Sequence, residues 1–413
     1  MWVPAIERVL AIAVKQCFDY PMDIQSMLSR ELKLPKNKSF FLFGARQSGK
    51  TSLIEERFSV EQRHSYNLFL SYDYARLVAQ PGLLREEILA LDSSITHVFI
   101  DEVQRVPSLL NEVQHLLDQR IAQNFILTGS SARKLRRGQA NLLAGRAWSY
   151  NLYPLTLEEL PHTYTLNDIL SFGTLPANVT AQKEDRRENL RAYVSVYLKE
   201  EIEAEALSRN IGGFIRFLAI AAQTNGEQLN YSNIARDTGI SDVTVKEYFK
   251  ILEDTLLGFF LLPFSFSERK KHKLSPKFYF FDTGVLRATQ KRISLDVEAT
   301  TFEYGNYFES WVINEVQRIT SYLRKDLSLS FLRTANDVEV DLVLTFPDET
   351  IWGVEIKSKE TPVESDFRAG FEALRSVTDK ARCMCVCTGK HPRTVGGYEV
   401  LPYGEFFELL RSS

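Results

Sequence analysis

Residues 44–51 satisfy the pattern G-x-x-x-x-G-K-[ST]. They follow the apolar run Phe40–Phe43 and open a helical stretch over residues 52–58. A strand, a glycine-bearing loop and a helix in that order turn backbone N–H groups and a helix N-terminus toward one point, where phosphate is held. Gly44, Ala45, Arg46, Gln47, Ser48, Gly49, Lys50 and Thr51 are therefore expected to surround the phosphates of ATP. Lys50 would contact the β/γ-phosphates and the Thr51 hydroxyl would coordinate Mg²⁺. Such a loop implies a parallel sheet behind it, so the first part of the chain is read as α/β.

The rest of residues 1–160 agrees with that reading. Apolar runs at 66–68, 97–100, 125–127 and 148–152 alternate with amphipathic stretches such as 109–117, as in βαβ units. The run 98–100 ends in Asp101 and Glu102, which sets two carboxylates at the C-terminal sheet edge, where α/β proteins bind ligands. Asp101 is expected in the Mg²⁺ shell and Glu102 beside the attacking water. The run 125–127 leads into Thr128, Gly129, Ser130 and Ser131. One reading has Thr128 or Ser130 hydrogen-bonding the lytic water or the γ-phosphate; the other is a strand-to-helix turn with a serine N-cap. Arg133, Lys134, Arg136, Arg137 and Arg146 follow with no carboxylate between them. They are either a solvated basic face or the source of an arginine finger that reaches a neighbouring subunit in a homo-oligomer.

A length of 413 residues allows two or three domains. With 44% apolar and 25% charged residues the chain has the composition of a globular protein. Its net charge of -3 gives no global attraction to nucleic acid, so any DNA contact must be local. The apolar stretches 9–14 and 256–262 fall short of the ~18 residues that cross a bilayer. The N-terminus mixes Glu7 with Arg8 and lacks a signal-peptide layout. The expectation is a cytoplasmic protein without membrane insertion. Cys17 stands alone, whereas Cys383, Cys385 and Cys387 alternate on an expected strand with only His391 near. Buried thiols are favoured there over a metal site.

The motifs together resemble a known group. They are residues 44–51, Asp101-Glu-Val-Gln104 with Pro107, 127–135, 141–146, 197–202, 252–256, 277–285 and the Glu-Val-Asp of 339–341. Over nearly the whole chain they are similar to the prokaryotic AAA+-type P-loop ATPases that carry a C-terminal domain of unknown function. The resemblance implies an AAA+-like ATPase core (1–160), a helical winged-helix-like middle segment (161–265) and a mixed α/β C-terminal domain similar to PD-(D/E)XK nucleases (266–413). Arg146 matches the family's Ala-Gly-Arg, which makes it the candidate trans finger. One departure is Phe172-Gly-Thr-Leu-Pro176, where the family shows a glycine pair before proline.

In the middle segment, residues 231–252 read as helix, glycine turn, helix, with Ser232 and Ser241 as N-caps and Gly239 in the turn. Ile234, Ala235, Ile240, Val243, Phe249 and Leu252 are expected as its core. Thr244, Lys246, Glu247 and Lys250 face outward, leaving DNA contact and protein packing both open. The basic run 269–273 could hold a phosphate backbone or be a solvated loop. Helical pattern is expected to about Leu262, including a long helix over 190–207.

Strands are expected at 278–281, 327–332, 339–344, 352–356 and 383–387, with a helix over 307–319. Two neighbouring strands would set Asp341 and Glu355 side by side, as hard oxygen ligands that suit Mg²⁺. Lys357 shares the face of Glu355, and Glu309 on the preceding helix would add a carboxylate. Two readings follow: an ATP-driven nucleic-acid processor with a metal-dependent nuclease site, or an ATP-dependent switch or scaffold whose nuclease-like domain is inert and binds a protein.

Overall fold

Strands β1 (Phe40–Phe43), β2 (Arg63–Asn67), β3 (His97–Asp101), β4 (Asn124–Gly129) and β5 (Trp148–Asn151) form one sheet in the order β2-β3-β4-β1-β5, all parallel. The computed structural model describes residues 28–131, 133, 135, 143, 145–198, 211–266, 275–299 and 301–413. Residues 7–14, Cys17, 132, Lys134, Arg136, Arg137, 141–142, 144, 199–207 and 269–273 from the sequence reading lie outside them.

Parallel sheets are covered on both faces, so their strands are apolar at successive positions. Phe41, Phe43, Ile100 and Leu127 share one core with Leu110, Val113 and Leu116 of the helix Leu109–Asp118. Phe40, Leu42, Phe99 and Ile126 share the other with Leu53 and Ile54 of the helix Lys50–Arg57. The edge strand β2 starts at Arg63 rather than at Tyr66, because its polar outer residues hid the beginning of the strand.

The expected helix over 190–207 is described only as far as Leu198, where Arg186–Ala192 is followed by a π-helical turn, Tyr193–Leu198. Helices Ile211–Gln223, Tyr231–Thr238 and Asp242–Asp254 come next. Gly239 adopts a left-handed φ of 69°, and Ser241 caps the following helix by accepting from Thr244 N at 3.1 Å. Two details are corrected. Asn230, not Ser232, caps the first helix. Val243 is 69% exposed, while Val245 and Tyr248 fill the core, because a helix that begins at Asp242 turns position 243 away from the core.

The stretch to Leu262 is also not helical throughout: Gly258–Pro263 is a strand, β6, paired antiparallel with β7 (Lys277–Phe280). A short apolar run fits either element. Leu256 at a φ of 58° reverses the chain. A Cβ on Gly258 would lie 2.5 Å from the Tyr279 carbonyl oxygen, so glycine permits this close pairing.

Strands β8 (Ser328–Arg333), β9 (Glu339–Thr345), β10 (Ile351–Lys357), β11 (Arg382–Cys387), β12 (Arg393–Val395) and β13 (Tyr398–Pro402) complete an eight-stranded mixed sheet with β6 and β7, ordered β12-β13-β11-β10-β9-β8-β6-β7. This sheet therefore starts inside the expected middle segment. The helix Arg368–Val377 connects β10 to the parallel β11, as a crossover must. It packs Phe371 and Leu374 against Cys383, Cys385 and Cys387, which are buried on one strand. The long helix Phe302–Tyr322 meets the C-terminal helix Tyr403–Ser412 through Trp311, whose ring stands edge-on to Tyr403 and Phe407. Among the described residues, no helix is long and apolar enough to cross a membrane.

Candidate functional site

The strand order decides which side chains meet at the C-terminal edge of the first sheet. β4 separates β1 from β3, so the loop after β1 and the carboxylates after β3 are bridged by residues of β4. Gly44 has no room for a side chain: a Cβ there would lie 2.5 Å from the Leu152 carbonyl oxygen. Gly49 turns the loop with a φ of 91°. Buried Lys50 donates from Nζ to the carbonyls of Gly44 (2.9 Å) and Ala45 (3.3 Å) and stands 3.9 Å from Glu102 Oε1. The loop and one acidic side chain thus aim a single ammonium.

Thr51 Oγ1 donates to Asp101 Oδ2 at 2.9 Å, and Thr128 Oγ1 donates to the other oxygen, Oδ1. A hydroxyl from the first turn of a helix and a carboxylate from a strand end converge, a pair of hard oxygens of the kind Mg²⁺ takes, so Thr51 and Asp101 fit that ion. Thr128 also accepts from the Glu102 N–H at 3.2 Å. Glu102 adopts a φ of 60°, a conformation uncommon outside glycine and retained where surrounding contacts enforce it.

Gln104 went unassigned in the sequence reading, yet it organises this edge. Buried, it donates from Nε2 to Glu102 Oε2 and to Ser130 Oγ (3.2 Å). A Cβ on Gly129 would lie 2.5 Å from Gln104 Oε1, so that glycine makes space for the amide. Ser130 is thereby joined to the Glu102 carboxylate, whereas Thr128 meets Glu102 through its N–H. Tyr193 was missed altogether: its hydroxyl donates to the Arg46 carbonyl at 3.2 Å, tying the π-helical turn to the loop. No local pattern announces a contact that spans 147 positions. Arg146 pairs with Asp118 at 2.6 Å and Arg133 with Asp254 at 3.3 Å, both within this chain.

The second expected cluster is only partly assembled. β9 and β10 run antiparallel with Leu342 opposite Val354, which brings Asp341, Glu355 and Lys357 together. Lys357 Nζ stands 2.6 Å from Glu355 and 3.6 Å from Asp341, and Asp341 Oδ2 also accepts from Ile356 N at 2.7 Å. Burial and the Asp341 charge push the Glu355 carboxyl well above its usual range. Glu309 is engaged elsewhere, accepting from the Tyr279 hydroxyl at 2.7 Å and standing 3.9 Å from Lys277. Burial raises its pKa to about 7, against the pull of Lys277. Among the described residues, no three His, Cys, Asp or Glu side chains converge to hold a metal. With ammonium groups against the carboxylates, this donor set does not fit a resident Mg²⁺.

The loop that departs from the family pattern is clamped from the same region. A side chain on Gly173 would collide with the Asp282 carboxylate, which accepts from Thr174 N at 2.6 Å. Thr174 Oγ1 in turn accepts from Arg318 at 2.9 Å, which gives the residue in the second-glycine position a packing role.

Residues 36–161 match the family model described as an AAA domain. Residues 163–296 and 304–406 match two domains of unknown function, DUF8612 and DUF4143. Uncharacterized protein Rv2008c of Mycobacterium tuberculosis is 25% identical over 85% of this chain and 76% of its own length. Uncharacterized protein MJ1544 of Methanocaldococcus jannaschii is 24% identical over 84% of this chain and 81% of its own. Among solved structures, the STAND protein with a tetratricopeptide repeat sensor, PH0952 from Pyrococcus horikoshii, aligns at 14% identity over 74% of this chain and 50% of that one, with a TM-score of 0.21. The parallel five-stranded sheet and the AAA-domain match agree on an α/β core of the P-loop ATPase type.

Proposed function

We propose that this chain is a Mg²⁺-dependent, ATP-hydrolysing P-loop protein of the AAA+ type. The observation that carries the reading is the Thr51–Asp101 hydrogen bond, with Thr128 fixing the Asp101 carboxylate and Gln104 the Glu102 carboxylate beside it. Gly44–Thr51 cradle the phosphates and Lys50 takes the β/γ charge. Thr51 and Asp101 hold Mg²⁺, whose contribution is to neutralise charge on the phosphates. Glu102 accepts a proton from the attacking water, while Thr128 and Ser130 orient it. Arg146 is the trans finger of a homo-oligomer and exchanges Asp118 for a neighbour's γ-phosphate. The location is cytoplasmic. Lys50→Ala should lose nucleotide binding, measured with a fluorescent ATP analogue, because the phosphates lose their point charge. Wild-type turnover in that variant would defeat the assignment.

The later domains support two uses of this turnover. The helix Ile211–Gln223, the bridge from Gln228 to Lys277, two further helices and the β6/β7 pair follow the order of a winged helix. A helix, three antiparallel strands, a helix and a parallel strand over 302–387, with Asp341 on the second strand and Glu355 and Lys357 on the third, support a PD-(D/E)XK-like fold. Coupling to DNA processing is one use. The lysine-filled carboxylates favour the other, a switch or scaffold that binds a protein partner and cuts nothing at rest. ATP turnover measured with and without DNA separates the two; the switch predicts no stimulation.

A further inference from the structure

Lys277 is an odd residue to find where it is. It lies on β7, only 3% exposed, with its ammonium against Glu339 Oε1 and 3.9 Å from Glu309 Oε1. Phe331 lies beneath it, with the ring centroid 5.3 Å from Nζ. An ammonium is buried at a large desolvation cost unless carboxylates surround it, and here they come from two elements of the C-terminal domain. The helix Phe302–Tyr322 supplies Glu309, and β9 supplies Glu339, two residues from Asp341. From β8, Arg333 meets the other oxygen of Glu339 at 3.3 Å. Lys277 lies within residues 163–296, which match one family model, while all these carboxylates lie within 304–406, which match another. Within one sheet, a cation from the first matched region thus enters the acidic cluster of the second.

We infer that Lys277 is a tethered cation that closes the C-terminal carboxylates to a divalent metal, so that the nuclease-like site is latent in the resting chain. The inference rests on the nuclease-like reading of residues 304–406. A divalent ion must add its charge next to an ammonium already neutralising Glu309 and Glu339, while Lys357 neutralises Asp341 and Glu355. Mutual repulsion in a buried site opposes that addition. Opening the site requires the β6/β7 pair to shift. β6 joins β8 along a short stretch, Leu262 with Ser330 and Pro263 with Phe331, with the Phe264 N–H donating to the Phe331 carbonyl at 2.6 Å. A cavity of about 550 Å³, lined by Asn225, Gln228, Lys277, Asn306, Glu309 and Glu339, leaves the ammonium room to withdraw. Movement of the β6/β7 pair would take Lys277 out and leave Glu309 and Glu339 without it beside Asp341.

Mn²⁺ binding to the full chain tests this by electron paramagnetic resonance, without nucleotide and with Asp101→Asn silencing the first site. The parent should take up no Mn²⁺ at concentrations where Lys277→Met, or Lys277→Gln if the first fails to fold, binds about one ion at least ~10-fold tighter. Lys277→Arg, which keeps the charge, should stay closed, and adding Asp341→Asn to the open variant should abolish uptake. Equal binding by parent and Lys277→Gln would overturn the tethered-cation role while leaving the carboxylate site standing. No uptake by any folded variant would overturn both the latency and the nuclease-like reading beneath it.

Discussion

Replacing Glu102 with glutamine separates holding ATP from hydrolysing it. The substitution keeps the side-chain volume, and the strained backbone stays pinned by the N–H to Thr128 at 3.2 Å. What disappears is a charge and a base. The carboxylate stands 3.9 Å from Lys50 Nζ, where a full pair attracts by ~4 kcal/mol gross at an effective dielectric near 20. Losing it frees Lys50 for the phosphates, so ATP affinity should hold or rise. Loss of a positioned base costs ~10²–10⁴ in rate, or about 3–5 kcal/mol of barrier. Single-turnover hydrolysis of radiolabelled ATP, beside equilibrium binding of a fluorescent analogue, reads the two effects separately. A variant that hydrolyses within threefold of wild type would refute Glu102 as the base and shift attention to Thr128 and Ser130.

Arg146→Ala should bind ATP normally and turn it over slowly, by roughly 10³-fold if the residue is a finger. Mixing it with Lys50→Ala subunits should restore part of the rate, and a monomer with full turnover would exclude the role. Gly370→Ala places a Cβ 2.5 Å from the Glu339 carbonyl oxygen and against the Glu355 carboxylate. Overpacking of ~1–3 kcal/mol should outweigh the ~1 kcal/mol gained in helix propensity, and an unchanged denaturant midpoint would contradict the close packing. Glu315, wholly buried, has its pKa pushed up to about 7 by burial despite Arg318, the Leu157 N–H and Arg411. The folded chain therefore binds this proton more tightly than the unfolded one. Stability from this group is fullest below pH 4.5 and is lost as pH rises toward 7, by on the order of 3 kcal/mol. Glu315→Gln should flatten that part of the Tm–pH curve; an unaltered slope would count against the shift.

Much of the first site was legible along the chain because its parts are local. A glycine loop between an apolar run and a helix specifies its own geometry, and the inner parallel strands β1, β3 and β4 announce themselves by being apolar on both faces. The pairing of Asp341 with Glu355 was also readable, since two strands joined by a short turn have few registers. Other features depended on how distant segments pack. The order β2-β3-β4-β1-β5 inserts β4 between the two halves of the site, and this gives Thr128 and Gln104 their roles. Gly258–Pro263 became a strand because β7 lay close enough to pair, and Val243 turned outward because Ser241 set where its helix began. Lys277 meets Glu339 across 62 positions. Periodicity and spacing specify contacts within a turn or a hairpin, whereas a buried charge takes whichever partner the packing of separate modules brings to it.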